Sequence, residues 1–436
     1  MKTQGLRTLV IGSGGREHAL ALKLASDEGA EVHAAPGNPG IKAVATLHDV
    51  DPMDGAAVAA LAQQIGADLV VIGPEAPLVA GVADAVRAAG IAVFGPSGSA
   101  AQLEGSKVFS KEVMAAADVP TAGSRVATTS DEVAAALDEF GAPYVVKDDA
   151  LAAGKGVVVT RDRDEALAHA ASCGRVVIEE FLDGPEVSVF AICDGNGAYA
   201  LQPAQDFKRI FDGGRGPNTG GMGSYTPLDW AQPDLADIVL TTVVRPTLAE
   251  MNRRGSPFVG CLYVGLALTE KGPRVIEFNC RFGDPDIQPV LAVLESSLGG
   301  LLLAAAEGRL DSIPAPTFSS DAAVTVVLAS EGYPESSSSG DVIKGVGNAN
   351  GVNAVDVIHA GTAIVAAPEA DDPDHKHLVT AGGRVLAVRA RGYDVEDART
   401  RAYAAADLIS FRGMQRRSDI AAEPLGVVEG ASVLDS

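Results

Sequence analysis

Residues 9–20 read LVIGSGGREHAL. A short apolar run ends in glycine, a Gly-rich turn follows, and an Ala/Leu-rich amphipathic segment resumes, which predicts strand, turn and helix. The same order recurs downstream. DLVVIG (68–73) precedes PLVAGVADAVRAAG (77–90), and IAVFG (91–95) closes the series. Such alternation predicts an N-terminal parallel α/β domain over residues 1–105, with its ligand face at the glycine ends of the strands.

The turn is not a dinucleotide fingerprint. G-x-G-x-x-G requires glycine at 12, 14 and 17, and position 17 is Glu. The third glycine of that motif lets helix and strand pack closely, and a Glu there is expected to crowd them. What remains suits a smaller anion. Gly12, Gly14 and Gly15 offer N–H groups beside a helix beginning near Arg16, whose positive end favours a phosphate. APGNPG (35–40) and IGPEAPL (72–78) follow two later strands and surround the same face. A ligand-free tight turn accounts for one such loop more easily than for three that converge.

From 106 to 315 the pattern changes. The helix KVFSKEVMAAADV is followed by the strands PYVVKD, GVVVT, RVVIEEFL, EVSVFAIC, FVGCLYVGLALT and RVIEFN, an α+β order. PAPTFSS (314–320) has linker composition. AAVTVVLAS, AVDVIHAGTAIVA and RVLAVRARG then predict strands of a small α+β domain over 316–425, with a helix DARTRAYAAADLISF (397–411) packed on it. SSSSG (336–340) is expected as a mobile loop, and 426–436 as a flexible tail.

Composition narrows the function classes. The chain has 436 residues, 47% hydrophobic and 21% charged, as in soluble proteins. Its net charge of −23 speaks against nucleic acid as a partner. No apolar run approaches membrane-span length and no apolar leader precedes the first strand, so no membrane partner and a cytoplasmic location are expected. Cys173, Cys193, Cys261 and Cys280 are far apart in sequence and are read as four buried thiols.

Three stretches of the middle region carry charge in patterns that packing does not require. In VVKDDALAAGKGVVV (145–159), Lys147 ends a strand, and Gly154, Lys155 and Gly156 form a loop able to close over a polyphosphate; a plain hairpin accounts for it equally well. In RVIEFNCRFGDPD (274–286), strand alternation puts Glu277 and Asn279 on one face, two oxygen donors suited to Mg²⁺ shared with phosphates. Arg281 and Asp284 follow at the same end. QDFKRIFDGGRGPNTGGMGSYTP (205–227) adds Lys208 and Arg209 to a long Gly/Asn/Thr loop.

In this order, GSGGREHAL, PGNPG, GPEAPLVAG, FGPS, LEGSK, LAAGKGV, EEFLDGPEVS, QDFKR, GPNTGGMG and EFNCRFGDP resemble the phosphoribosylamine–glycine ligase family of ATP-grasp enzymes over nearly the whole chain. The resemblance implies an N-terminal pre-ATP-grasp domain, a central ATP-grasp domain with a mobile lid at about 123–192, and a small C-terminal domain. It implies ATP with Mg²⁺ or Mn²⁺, and ligation of glycine to 5-phosphoribosylamine through a glycyl phosphate, a step of purine biosynthesis. A monomer is expected, touching neighbouring pathway enzymes at most transiently.

Residue roles carried over from the resemblance are expectations. Lys107 and Lys147 contact the ATP phosphates, under a lid formed by Gly154, Lys155 and Gly156. Glu179, Glu180, Phe181 and Leu182 form the adenine hinge, and Glu186 meets the ribose. Glu277 and Asn279 hold the metal, and Arg281 neutralises the acyl phosphate. Gly12, Gly14, Gly15, Arg16, Pro36, Gly37, Asn38 and Glu75 surround phosphoribosylamine. Asp206, Lys208, Arg209, Thr219, Gly220, Gly221, Met222 and Asp284 are placed where glycine and the sugar amine meet, with Arg281, Lys155 and Asp206 as catalytic residues. The chain departs from the family at Ala150, where a glycine is usual, and at Phe207, where a histidine is usual. Another ATP-grasp ligase, a non-catalytic nucleotide sensor and a NAD-dependent oxidoreductase are the competing readings.

Overall fold

The computed structural model describes residues 5–149, 156–366 and 376–422. Ala150, Gly154, Lys155 and the 426–436 tail lie outside these residues. Five parallel strands, β1 (Arg7–Gly12), β2 (Glu31–Pro36), β3 (Thr46–Leu47), β4 (Leu69–Ile72) and β5 (Val93–Phe94), form a sheet in the order β3-β2-β1-β4-β5. β4 is buried along its whole length, as expected of a strand with helices on both faces. The order reverses beside β1, so the crevice between diverging connections opens at Gly12. There the Gly37 N–H donates to the Gly12 carbonyl at 3.1 Å, and the Gly73 N–H to the Ile11 carbonyl at 2.9 Å.

Glu17 does not crowd this junction. It is buried at 2% exposure, and its carboxylate accepts from the Gly14 N–H at 2.6 Å and pairs with Arg16 Nε at 2.5 Å. The space comes from Gly12, where a Cβ would stand 2.7 Å from Glu17 Cγ at φ +125°, a backbone region that favours glycine. The helix Gly15–Ala25 therefore keeps its close approach with the glycines on the strand side.

Strands β6 (Ser124–Ala127), β7 (Tyr144–Asp148), β8 (Val157–Thr160) and β9 (Val176–Glu179) make an antiparallel sheet ordered β6-β9-β7-β8. Two helices, Ser130–Phe140 and Arg163–Ser172, cover it around a core of its own that includes Val133, Leu137, Val146 and Ile178. β10 (Glu186–Asp194), β11 (Ala198–Ala200), β16 (Val259–Thr269) and β17 (Gly272–Asn279) form a separate sheet, β11-β10-β16-β17. β10 thus begins inside the expected lid range but pairs with β16 along its whole length.

The stretch expected as one long loop at 205–227 is instead four short strands. β12 (Gln205–Asp206) and β15 (Gly223–Thr226) pair with each other, and β13 (Arg209–Phe211) pairs with β14 (Arg215–Asn218). Gly213, Gly214, Gly216 and Gly221 all have positive φ, so the glycines make tight turns between strands rather than slack. β15 joins β18 (Ala322–Ala329), giving the sheet β12-β15-β18-β23-β20 with β20 (Val355–His359) and β23 (Arg384–Gly392). The C-terminal sheet is therefore completed by strands from before the linker.

Ser339 and Gly340, expected in a mobile loop, begin β19 (Ser339–Val342), which pairs with β22 (Lys376–Ala381) beside β21 (Thr362–Ala366). The late helix spans Val395–Ala406 rather than reaching Phe411, because Ser410 exchanges backbone hydrogen bonds with Lys344. Cys193, Cys261 and Cys280 are buried thiols, whereas Cys173 is only half-buried. No helix among the described residues is long and apolar enough to cross a membrane.

The N- and C-terminal domains meet through two buried histidines. The His359 N–H donates to His18 Nδ1 at 2.7 Å, with the rings edge-to-face at 5.6 Å. Burial, then His359 and Arg389, lower the His18 pKa to about 3; burial lowers that of His359 to about 4. Both groups bind protons more readily when unfolded, near 6.5. Their contribution is therefore complete above about pH 6.5 and is lost as pH falls. Urea unfolding should show a loss of up to about 4 kcal/mol between pH 6.5 and 5, and His359→Gln should roughly halve that slope. An unchanged slope would exclude this origin.

Candidate active site

β17 presents Glu277 and Asn279 on one face, with Phe278 buried between them, as strand alternation requires. Four cations surround Glu277. Burial alone would raise its pKa, yet Lys208, Lys147, Lys107 and Arg281 together hold it below the usual carboxylate range. They come from β7, the N-terminus of the helix Lys107–Ala116, the β12–β13 connection and the turn after β17. Among the described residues, no group of three or more His, Cys, Asp or Glu side chains is arranged to hold a metal. The donor set is thus two protein oxygens amid cations, which fits a Mg²⁺ or Mn²⁺ that takes its remaining ligands from phosphates and water.

Lys147 is held by a buried ion-pair knot. Its Nζ lies 2.9 Å from Glu179 Oε2 and donates to the Ile276 carbonyl at 3.0 Å; Lys111 takes Glu179 Oε1 at 3.0 Å. Asp149 ties the end of the same strand to the helix bearing Lys107, accepting from Ser106 Oγ at 3.0 Å and the Val108 N–H at 2.9 Å. Ser106 also caps that helix. The hinge follows. Glu180 pairs with Arg274 at 2.7 Å and exchanges backbone-directed hydrogen bonds with Gly123. Phe181 is 39% exposed and Leu182 half-buried. Glu186 is exposed and pairs with Lys208 Nζ at 2.5 Å.

Arg281 bridges the N-terminal and central domains. Its guanidinium stands 3.4 Å from Glu75 and 3.1 Å from Glu104. Burial would lower its pKa, but Glu104, Glu75, Tyr263 and Glu277 outweigh that and raise it. Glu104 is fixed by the Cys280 N–H at 2.7 Å, and burial pushes its carboxyl up.

The glycine turn differs from its expected use in one respect. The Gly14 N–H is taken by Glu17 rather than held open for an anion. Asn38 likewise spends its side chain on the scaffold, donating to the Ser13 and His359 carbonyls and accepting from the N–H groups of Gly40 and Ile41. Arg16 Nη1 donates to the Phe282 carbonyl at 3.1 Å. Pro36 and Gly37 line the mouth of the same turn, half-buried. Asp284 closes it: a Cβ on Gly15 would lie 3.1 Å from Asp284 Oδ1, which accepts from Gln288.

Arg384, from the C-terminal domain, grips the other side. It donates to the carbonyls of Gly220 and Asp284 and pairs with Asp284 Oδ2 at 3.2 Å. The Gly220 N–H donates to Tyr333 Oη at 2.9 Å. Thr219 returns to the Lys208 carbonyl through both its N–H and its hydroxyl. Gly221 is buried against Asp206. Two expected site residues point elsewhere: Arg209 donates to the Gly216 carbonyl within its own hairpin, and Met222 is fully buried. Phe207 is also buried, under the Arg417 guanidinium at 5.0 Å, so the aromatic departure serves packing.

Residues 6–104, 105–287 and 323–423 match, respectively, the N, ATP-grasp (A) and C domains of phosphoribosylglycinamide synthetase. The chain belongs to the phosphoribosylglycinamide synthetase family. A phosphoribosylamine–glycine ligase of Streptomyces coelicolor is 59% identical over 97% of this chain and 100% of its own length. That of Mycobacterium leprae is 52% identical over 95% and 97%. Among solved structures, a phosphoribosylamine–glycine ligase of Thermotoga maritima superposes with a TM-score of 0.81 at 33% identity, covering 95% of this chain and 100% of that one. A biotin carboxylase of Campylobacter jejuni shares the fold alone, with a TM-score of 0.69 at 15% identity over 94% and 92%.

In this synthetase fold, sequence reasoning missed Glu104, Lys111, Tyr333, Arg384 and Asp286. Glu104 adjoins Lys107 in LEGSK, so that motif did carry a signal for it. Asp286 likewise ends the singled-out stretch 274–286, whereas Lys111, Tyr333 and Arg384 lie in segments whose local pattern is that of ordinary helix, turn or strand.

Proposed function

We propose that this chain ligates glycine to 5-phosphoribosylamine, converting ATP to ADP and phosphate and giving the ribosylated glycinamide of purine biosynthesis. The observation that carries this reading is the convergence of Lys107, Lys147, Lys208 and Arg281 on Glu277, beside a crevice closed by Asp284 and the Gly14–Gly15 turn. A carboxylate is a poor electrophile. Transfer of the terminal phosphate of ATP to glycine makes it one, and such transfer depends on positioning and charge neutralisation.

Glu277 and Asn279 are the residues to hold Mg²⁺ or Mn²⁺, which supplies Lewis-acid neutralisation of the phosphate oxygens when bound. Lys107 and Lys147 face the same charge, with Lys155 and the glycines beside it as the lid. Glu179 to Leu182 form the adenine hinge and Glu186 reaches the ribose. Arg281, held by Glu75 and Glu104, is aimed at the acyl phosphate. The sugar phosphate sits against Gly12, Gly15, Arg16 and Gly37, and Asp206, Lys208, Thr219, Gly220 and Asp284 line the junction with glycine.

Purified protein given ATP, Mg²⁺, glycine and phosphoribosylamine should release one ADP per ribosylated glycinamide formed, with little release when either acceptor is omitted. Turnover with another amine and none with phosphoribosylamine would overturn the assignment.

A further inference from the structure

Asp206 ends β12 against the Gly220–Gly221 turn. It is half-buried, and its Oδ1 is shut off from solvent with no hydrogen-bond partner among the described residues. Buried carboxylate oxygens are rarely left unbonded, and one that is calls for a physical account. Gly221 lies directly over it at φ +107°, where a Cβ would come within 2.6 Å of Oδ1. The Pro285 ring lies against the same glycine, closer still to where that Cβ would stand, so the turn and Pro285 together cover Oδ1 and only the missing side chain at 221 leaves room beside it.

The groups facing Asp206 come from every neighbouring element. Lys208 follows it in sequence, Glu186 stands on β10, Arg384 on β23, and Asp286 heads the helix after Pro285. Asp286 accepts from Ser188 Oγ at 2.8 Å, and Ser188 is 2.8 Å from Tyr263 Oη. Burial, then Asp286, push the Asp206 carboxyl well above its ordinary range, against the pull of Lys208 and Arg384. A carboxylate so placed binds a proton more readily than an exposed one, as a base for an amine requires.

We infer that Asp206 accepts the proton that the attacking amine must lose during ligation. This rests on the proposed ligase reading. The amine nitrogen uses its lone pair to form the C–N bond at the glycyl carbonyl. The C–O bond to phosphate breaks, its electron pair leaving with phosphate. One N–H proton passes to the Asp206 carboxylate, leaving a neutral amide, and the carboxyl returns that proton to solvent before the next turnover.

The test compares phosphoribosylamine with hydroxylamine, a weakly basic amine that captures acyl phosphates without a protein base. In Asp206→Asn, formation of the ribosylated glycinamide should fall about 10²- to 10³-fold, at least about tenfold more than glycyl hydroxamate formation falls. The acid limb of kcat/KM for the sugar amine should vanish in Asp206→Asn and persist, displaced, in Asp206→Glu. Equal loss of both products, or near-normal ligation in Asp206→Asn, would overturn the role. If the unaltered protein made no ribosylated glycinamide from ATP, glycine and phosphoribosylamine, the ligase reading itself would fall, and this inference with it.

Discussion

Glu277→Gln should abolish ligation, lowering kcat by about 10³-fold or more. The substitution keeps the volume of the side chain and removes its charge, so under the proposed assignment the metal would lose its carboxylate anchor on β17. Bound metal is worth several kcal/mol of charge neutralisation in phosphoryl transfer, and each 1.4 kcal/mol or so is about tenfold in rate. The same change has an opposite effect on the nucleotide alone. Lys208, Lys147, Lys107 and Arg281 would lose the anion they share, although Lys147 keeps Glu179, Lys208 keeps Glu186 and Arg281 keeps Glu75 and Glu104, so the site gains net positive charge for phosphate. Calorimetric titration without divalent metal should therefore show ATP binding retained or tightened, while addition of Mg²⁺ ceases to improve it. Hydroxamate formation should fall with ligation, because both depend on the first phosphoryl transfer. Activity within tenfold of the unaltered protein would remove Glu277 from the metal site, and loss of ATP binding would point to a collapsed fold instead.

How much of this could be read from the sequence follows from the range of each interaction. β1 and its glycine turn were legible because strand, turn and helix are written in contiguous residues. Glu277 and Asn279 were legible because alternation along a strand is local. The partners that fix them are not local. Glu104 receives the Cys280 N–H from 176 positions away, and Arg384 reaches Asp284 across 100. No periodicity records such pairs. Glu17 illustrates the opposite error. Its size was read correctly, but the space it needs is provided by Gly12 on another element. In the 205–227 stretch, glycine content was read as looseness, whereas positive φ at Gly213, Gly214, Gly216 and Gly221 folds it into short strands. Asn38, expected to face substrate, saturates its amide on the scaffold, an outcome that depends on His359 arriving from the last domain.

Glu179→Ala should cost about 3–5 kcal/mol of stability, the largest loss expected from a single substitution. Glu179 is 3% exposed and receives both Lys147 and Lys111, whose side chains are 5% and 10% exposed. Removing one member of a buried ionic group leaves the others desolvated without compensation, which is costlier than the group's net worth. Lys111 already has its pKa lowered by burial, with Glu179 working against that shift. Without Glu179 the pKa falls further, so keeping the charged lysine inside the fold costs more. The sign of the pH dependence follows: a base whose folded pKa is depressed gains stability as pH rises, so the gap between variant and parent should narrow from pH 7 to 9.5. Lys111→Met leaves Glu179 its pair with Lys147 and should cost less. Because Glu179 also anchors β9 to the helix Lys107–Ala116, the ATP KM should rise in Glu179→Ala at temperatures where the variant is still folded. Urea midpoints that differ by less than about 1 kcal/mol, or a gap independent of pH, would mean that water or a rearranged carboxylate replaces Glu179, and the knot would not be what holds Lys147 in place.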